Sequence, residues 1–120
     1  MLRMNIWQRD YELKLVYDVY PGESVSSVQE EALTRFVNNK KVIEESQNEV
    51  EKYCLTENHD EIGLDSFDNI FKYVIPEYIF VKRDGRVAIM CKYKFDKEHG
   101  LAVVFKDGKL EKIGKQDIVL

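Results

Sequence analysis

The stretch from Tyr78 to Phe105 constrains the fold most, because it contains three apolar runs separated by two short turns. In the middle run every second residue is apolar, which is the pattern of a strand with one face in the core. Asp84-Gly85, between the first two runs, is a strong signal for a tight hairpin. The stretch therefore predicts a β-meander whose middle strand directs one set of side chains inward: Val87, Ile89, Cys91, Tyr93 and Phe95.

The second of these turns is longer, and a third turn extends the meander. The segment Asp96–Gly100 fits a loop built on a type I turn, in which Gly100 takes a positive φ before the chain re-enters the sheet. Asp107-Gly108 marks the next turn, after which residues 109–113 can pair back as a fourth strand. Residues 101–105 are apolar on both faces, so we expect this strand in the middle of the sheet with cover on both sides.

The N-terminal segment predicts another strand. Residues 11–20 alternate between apolar and polar, and residues 1–7, with Met4 and Ile6, can pair with them as a short N-terminal strand. We expect Trp7 in the core, since a lone tryptophan is highly buried on average. The side chains predicted to face inward from residues 11–20 are Leu13, Leu15, Tyr17 and Val19.

Between these strands the apolar spacing becomes helical. Ser27 followed by Glu30 is a capping box that starts a first helix, which Asn38-Asn39 ends. A second helix is predicted from Lys40 to about Leu55, then a polar loop over residues 56–65, then a short helix from Ser66 to Pro76. The inward residues predicted for the two long helices are Val28, Ala32, Leu33, Phe36, Val37, Val42, Ile43, Ser46, Val50, Tyr53 and Cys54.

This order of elements favours an α+β fold. Helices follow the first strand and precede the meander, whereas a parallel α/β fold needs strands that alternate with helices. We predict a single domain over residues 1–120. It consists of an antiparallel β-sheet, made of the C-terminal meander and the N-terminal strand, with the helices packed on one face. A chain of this size buries about two thirds of its unfolded surface, which is enough for one core.

Composition narrows the class of protein. Hydrophobic residues make up 44% and charged residues 33%, a globular balance. The two cysteines lack C-x-x-C spacing, and no apolar run approaches the length that spans a bilayer. We therefore predict a soluble cytoplasmic protein with reduced thiols and no membrane association. The sequence contains neither a phosphate-binding glycine loop nor a nucleophile elbow, so no cofactor and no catalytic residue are assigned.

The charge of the chain is unevenly distributed. The net charge is −4, yet residues 23–72 hold twelve acids and five bases, whereas residues 73–120 hold seven acids and ten bases. A surface field of one sign attracts partners of the opposite sign. One hypothesis is an acidic docking face for a basic protein on the wet side of the second helix. Its residues are Glu44, Glu45, Glu49 and Glu51. The other interpretation is that this charge only keeps the helices soluble.

The two histidines offer an alternative chemistry. His59 and His99 each lie among carboxylates, in Glu57-Asn58-His59-Asp60-Glu61 and in Asp96-Lys97-Glu98-His99. Imidazole and carboxylate together suit a divalent metal ion or general acid-base catalysis. The two histidines are 40 residues apart in two predicted loops, without the spacing of a metal motif, so exposed surface residues are the simpler interpretation.

A nucleic-acid interface is disfavoured by geometry. Lys82, Lys92, Lys94 and Lys106 lie along the meander, as basic residues do in some sheets that bind single strands. A period of two places Lys92 and Lys94 on the face opposite Tyr93 and Phe95, so charge and stacking platforms are predicted not to coincide. Such lysines also prevent strands from pairing edge to edge.

The C-terminal third resembles a known family. The pattern consists of Phe80-Val81-Lys82-Arg83-Asp84-Gly85, then Asp96-x-Glu98-His99-Gly100-Leu101-Ala102-Val103-Val104-Phe105, and then Ile113-Gly114-x-Gln116-Asp117-x-x-Leu120, with Trp7 and Gln29-Glu30 also similar. It resembles small bacterial proteins, chiefly from Gram-positive bacteria, that are classed only as a domain of unknown function. The resemblance implies a fold and a bacterial cytoplasmic setting, and no catalytic residues. The apolar tail, residues 116–120, has to dock somewhere.

Two functions are expected from these observations. The first is a small intracellular non-enzymatic binding protein, of the immunity type, which neutralises a toxin through its acidic surface. The alternative is an enzyme or a metal- or ligand-binding domain that uses the acidic segments around His59 and His99.

Overall fold

A computed structural model gives the structure of the protein and describes residues 1–63 and 69–120. Six strands of this part of the chain form one sheet, in the order in which they follow one another. Two helices, α1 and α2, lie between the second and third strands in sequence. The strands are β1 (Leu2–Ile6), β2 (Arg9–Tyr17), β3 (Val74–Val81), β4 (Val87–Tyr93), β5 (Leu101–Lys106) and β6 (Lys109–Gly114).

The sheet is mostly antiparallel, and the α+β class is confirmed. The predicted meander corresponds to β3–β6, and the short N-terminal run is β1, paired with β2. The exception is β2, which pairs in parallel with β3, with Leu15 beside Ile79. A parallel pair requires a long crossover, which the two helices supply. The prediction of a largely antiparallel sheet is confirmed, and this pair is its exception.

Helix α1 spans Ser27–Asn38, and the residue that caps its N-terminus is Ser26. The capping box uses Ser26 and Gln29 rather than Ser27 and Glu30, so that prediction was wrong by one residue. Gln29 explains the choice: its side chain is 1% exposed and donates to the carbonyls of Asp18, at 2.9 Å, and Val81, at 3.2 Å. The helix start is therefore tied to the ends of the parallel strands.

Helix α2 spans Lys40–Ile62 and is longer than predicted. Residues 56–62 are helical, so the predicted loop was wrong there. The helix has one non-helical residue, Asn58, whose side chain accepts a 2.7 Å hydrogen bond from the Tyr93 hydroxyl. This contact with β4 compensates for the irregular turn, and Ile62 is buried beyond it.

The predicted short helix from Ser66 to Pro76 begins outside the described residues. From residue 69 onward the chain forms only a single 3₁₀ turn, Ile70–Lys72, and Val74 already belongs to β3. Pro76 lies inside this strand, next to a register shift between Pro76 and Tyr78. Proline is tolerated at such irregularities because no ladder hydrogen bond is required of it. The prediction that Pro76 ends a helix was therefore wrong.

The apolar side chains form two clusters. Buried residues of both helices share the larger cluster with Trp7 and with the inward residues predicted for β4. Phe95, also predicted to face inward, follows the end of β4 and is half-buried against this cluster. The smaller cluster contains the alternate residues of the central strands, Phe80, Ala88, Met90, Ala102 and Val104, together with Val119. Residues 101–105 are all buried, so the predicted cover on both sides of β5 is confirmed.

The C-terminal tail covers the smaller cluster. Val119 is 1% exposed, and its carbonyl accepts a 2.8 Å hydrogen bond from Lys82 Nζ. Gln116 donates its side-chain amide to the Cys91 carbonyl at 3.0 Å, and its main-chain N–H to the carbonyl of His99 at 3.0 Å. The apolar tail is therefore docked, as its composition predicted, while Leu120 remains 64% exposed.

Candidate protein-docking surface

The four glutamates predicted as a docking face lie on α2, and we call them the acidic row. Burial of Ile43, Ser46, Val50 and Cys54 determines which side of the helix faces the core. Glu44, Glu45 and Glu49 are exposed on the other side, and Glu51 is half-buried. The row therefore presents three exposed carboxylates and a fourth at its margin.

Three members of the acidic row have partners on α2 itself. Glu45 lies 3.9 Å from Lys41, and Glu49 lies 3.4 Å from Lys52, all on the helix surface. Glu51 accepts a 3.2 Å hydrogen bond from Gln47. Exposed pairs of this kind contribute about 0–1 kcal/mol, so they cost little to rearrange when a partner binds.

Gln8 brings a second element to the acidic row. Its amide donates to Glu44 Oε1 at 3.3 Å, across 36 residues of sequence. A shallow polar depression of about 410 Å³ lies here, and its lining includes Gln8, Lys41, Glu44, Glu45, Gln47 and Asn48. The sequence held no signal for this contact, because nothing in the spacing of residues relates the β1–β2 turn to α2.

The β1–β2 turn also fixes the position of α2. Trp7 and Gln8 both have positive φ, as a two-residue type I′ turn requires. Trp7 is 2% exposed, as predicted, and its Nε1 donates a 3.0 Å hydrogen bond to Ser46 Oγ. Ser46 in turn donates to the Ile43 carbonyl at 2.5 Å. The turn therefore holds the first half of α2 from its buried side, while Gln8 reaches Glu44 at the near margin of the acidic row.

Three more carboxylates extend the exposed side of α2. Glu57, Asp60 and Glu61 are exposed in the part of the helix that was predicted as a loop. A helical spacing of apolar residues predicts this extension: Cys54 follows Val50 by four residues, and Ile62 follows Cys54 by eight. The whole of α2 carries seven acidic side chains and three lysines.

The structure assigns the two histidines to different elements. His59 lies in α2, not in a loop as predicted, with its Nδ1 4.0 Å from Asp60. His99 lies in the β4–β5 loop, where its Nδ1 is 3.0 Å from Asp96 Oδ1. Across residues 1–63 and 69–120, no three histidine, cysteine or carboxylate side chains group as a metal site. Each histidine is thus paired within its own segment.

The pairing of Asp96 and His99 predicts an acid-sensitive loop. The hydrogen bond from His99, with the main-chain bond and charge of the same residue, lowers the pKa of Asp96 below its usual value. A depressed carboxyl pKa stabilises the fold above the unfolded-state value and loses that contribution as pH falls through the folded-state value. We expect stability to decrease below about pH 4 more steeply in the wild type than in Asp96→Asn.

Urea denaturation at a series of acidic pH values measures this difference. Asparagine can still accept the 3.2 Å hydrogen bond from the main-chain N–H of His99, so the loop geometry is retained. Equal slopes for the two proteins in the acid range would show that Asp96 does not titrate with folding.

The remaining nucleophile candidates are buried. Cys54 and Cys91 are both free thiols with no exposed surface. Burial raises the pKa of the Cys54 thiol to about 11 and that of Cys91 further. Reactive cysteines need an accessible thiolate, so these two act as small core side chains.

The lysines of the meander are engaged in separate contacts. Lys82 binds the tail, and Lys92 lies 3.3 Å from Glu77. Lys94 Nζ lies 5.7 Å from the centre of the Tyr73 ring and 5.9 Å from that of Phe95. Its ammonium is thus close to aromatic rings, in contrast to the separation of charge and rings predicted from the period of two. The rings of Tyr73 and Phe95 stack on each other at 5.4 Å.

Comparison with known proteins gives a family and no function. No helix within residues 1–63 and 69–120 has the length and apolar character needed to cross a bilayer. No curated protein and no solved structure shows significant similarity to the chain. One family model matches residues 1–120. The chain belongs to this family, which is described as a domain of unknown function, DUF6985.

Proposed function

We propose that this protein is a non-enzymatic binding protein of the bacterial cytoplasm, of the immunity type, which neutralises a basic protein toxin by docking it on the acidic row of α2. The observation that carries the proposal is the exposure of Glu44, Glu45 and Glu49, whose partners are themselves exposed side chains in weak contacts. The bacterial setting comes from the resemblance of the C-terminal motifs, and the partner class comes from charge.

The architecture supports this use of α2. We propose that both helices cover one face of the sheet, because their buried residues share a cluster with Val87 and Ile89 of β4. The tail occupies the cluster on the alternate side chains, around Met90 and Val104. With the inner side of α2 held by Trp7, its outer side is a rigid row of charge whose field steers a basic partner.

An affinity pull-down from the source cell tests the proposal. The bait proteins are the wild type and a triple variant, Glu44→Lys, Glu45→Lys and Glu49→Lys. We expect the wild type to retain a basic protein and the triple variant to lose it, because complementary potentials become repulsive. Circular dichroism should show the variant folded, since exposed ion pairs contribute little to stability.

A matched control separates the site from net charge. Glu23→Lys, Glu98→Lys and Asp117→Lys change three exposed acids outside α2 and produce the same change in total charge. This control should retain the partner as the wild type does. Equal loss in both variants would assign binding to overall charge and contradict a docking face on α2. A toxin gene beside this gene would support the immunity role, and a non-toxic partner would contradict it.

A further inference from the structure

The outer edge of β1 is an open strand edge. Ile6 and Arg9 flank the two-residue turn and form the closing pair of the hairpin. In such a hairpin the closing pair exchanges hydrogen bonds, and every second pair after it does the same. Met4 and Leu2 therefore bond to β2, while the main-chain N–H and C=O groups of Arg3 and Asn5 point away from it. In the described part of the chain β1 is the first strand of the sheet, so no strand pairs with these groups.

A groove of about 830 Å³ runs beside this edge. Its lining includes Arg3, Met4 and Asn5 from β1, and Val37, Lys40, Ile43 and Glu44 from the ends of α1 and α2 that meet there. Met4, Val37 and Ile43 make one side apolar, and Leu2 and Met4 are only half-buried. The edge thus combines unpaired main-chain groups with incompletely covered apolar side chains, which is the arrangement that accepts an added strand.

We propose that the occupant of this edge is a second copy of the chain, whose β1 adds antiparallel to β1 and joins the two sheets into one. The symmetric register places Met4 opposite Met4 of the partner subunit, and Arg3 opposite Asn5 of the partner subunit. In this register the outward main-chain groups of Arg3 and Asn5 bond to each other across the interface.

The side chains of β1 complement their own copy. Leu2 and Met4 lie on one face, where Met4 covers Met4 of the partner subunit and Leu2 lies opposite Ile6 of the partner subunit, on the apolar side of the groove. Arg3 lies on the other face, with its side chain 84% exposed and 3.7 Å from Glu12. Asn5 is hydrogen-bonded to Asp10, its cross-strand neighbour. Across the interface the Arg3 side chain therefore extends over Asn5 of the partner subunit towards Asp10 of the partner subunit, a favourable pairing of charges.

Sedimentation analysis over a wide range of concentration tests the proposal, comparing wild type, Arg3→Pro and Arg3→Lys. We expect the wild type to approach twice the 14.2 kDa chain mass as concentration rises. Arg3→Pro removes an N–H that points away from β2, so the hairpin is retained and the dimer is lost. Arg3→Lys keeps both the N–H and the charge, and should dimerise. The groove shares Glu44 with the acidic row, but the Arg3 variants leave every glutamate of α2 in place, so they test the edge of β1 and not the docking proposed for α2.

Amide hydrogen exchange decides the case in which Arg3→Pro does not fold. In the wild type, the amides of Arg3 and Asn5 should become protected as concentration rises, while that of Met4 is protected throughout by β2. A wild type that remains monomeric at every concentration, or an Arg3→Pro protein that dimerises like the wild type, would overturn the proposal. Exchange of the Arg3 and Asn5 amides that is rapid and independent of concentration would overturn it equally.

Discussion

Replacing Phe105 with alanine should lower the free energy of unfolding by about 3–5 kcal/mol, as large-to-small changes of a buried aromatic do. Phe105 is 3% exposed in β5, and its ring centre lies 5.1 Å from that of Phe36 on α1. The loss combines the transfer of the ring to water with the cavity left between the sheet and the helix. Urea denaturation followed by circular dichroism measures it.

Leu110 provides the comparison for this change. It pairs with Phe105 from β6 and is only half-buried. Leu110→Ala should therefore cost clearly less than Phe105→Ala. A loss below about 1 kcal/mol for Phe105→Ala, the size of an average point mutation, would show that this side chain is not part of the packed core.

Replacing Gly100 with alanine should cost more than about 2 kcal/mol, through strain and collision together. Gly100 has a φ of +60°, a region that residues with a Cβ rarely adopt. A Cβ there would lie 2.6 Å from Gln116 Nε2 and 2.7 Å from the Cys91 carbonyl oxygen. It would displace the hydrogen bond through which Gln116 anchors the tail on β4.

Gly63→Ala is the matched control, because it measures the cost of placing alanine at a positive φ without a collision. Gly63 has a φ of +69° at the end of α2, and a Cβ there would meet no atom of residues 1–63 and 69–120 within 4 Å. This variant should lose only about 1–2 kcal/mol, the cost of a left-handed residue. Thermal denaturation of both proteins gives the difference between their losses of stability, which measures the cost of the collision with Gln116 and Cys91 at position 100. Equal losses in the two variants would show that the tail is not anchored at Gly100.

The sheet could be predicted from the sequence because its signals are local. Asp84-Gly85 and Asp107-Gly108 identify turns by their residue types, and the period of two in β4 identifies its inward face. The parallel pairing of β2 with β3 depends instead on where the helices return the chain, which no local pattern encodes. The capping box was displaced by one residue for the same reason: Gln29 bonds to Asp18 and Val81, far from it in sequence.

The second half of α2 was missed because its stabilisation is tertiary. The segment around Asn58 is polar and acidic, which predicts a loop. Helix formation there is accompanied by the hydrogen bond from Tyr93 and by burial of Ile62. The exposed glutamates of the acidic row were predictable from helical period, whereas the contacts that orient the helix, Trp7 with Ser46 and Gln8 with Glu44, connect distant segments.

The central claim is that the acidic row of α2 steers a basic partner, and the association rate constant tests it most directly. It should be measured with the protein retained in the pull-down, for the wild type and the Glu44→Lys, Glu45→Lys, Glu49→Lys variant, at ~0.05 and ~0.3 M salt. At low salt the wild type should associate at least about tenfold faster than the variant, and at high salt this advantage should shrink because screening removes long-range steering. Equal rates for the two folded proteins at both salts would contradict a docking face on α2.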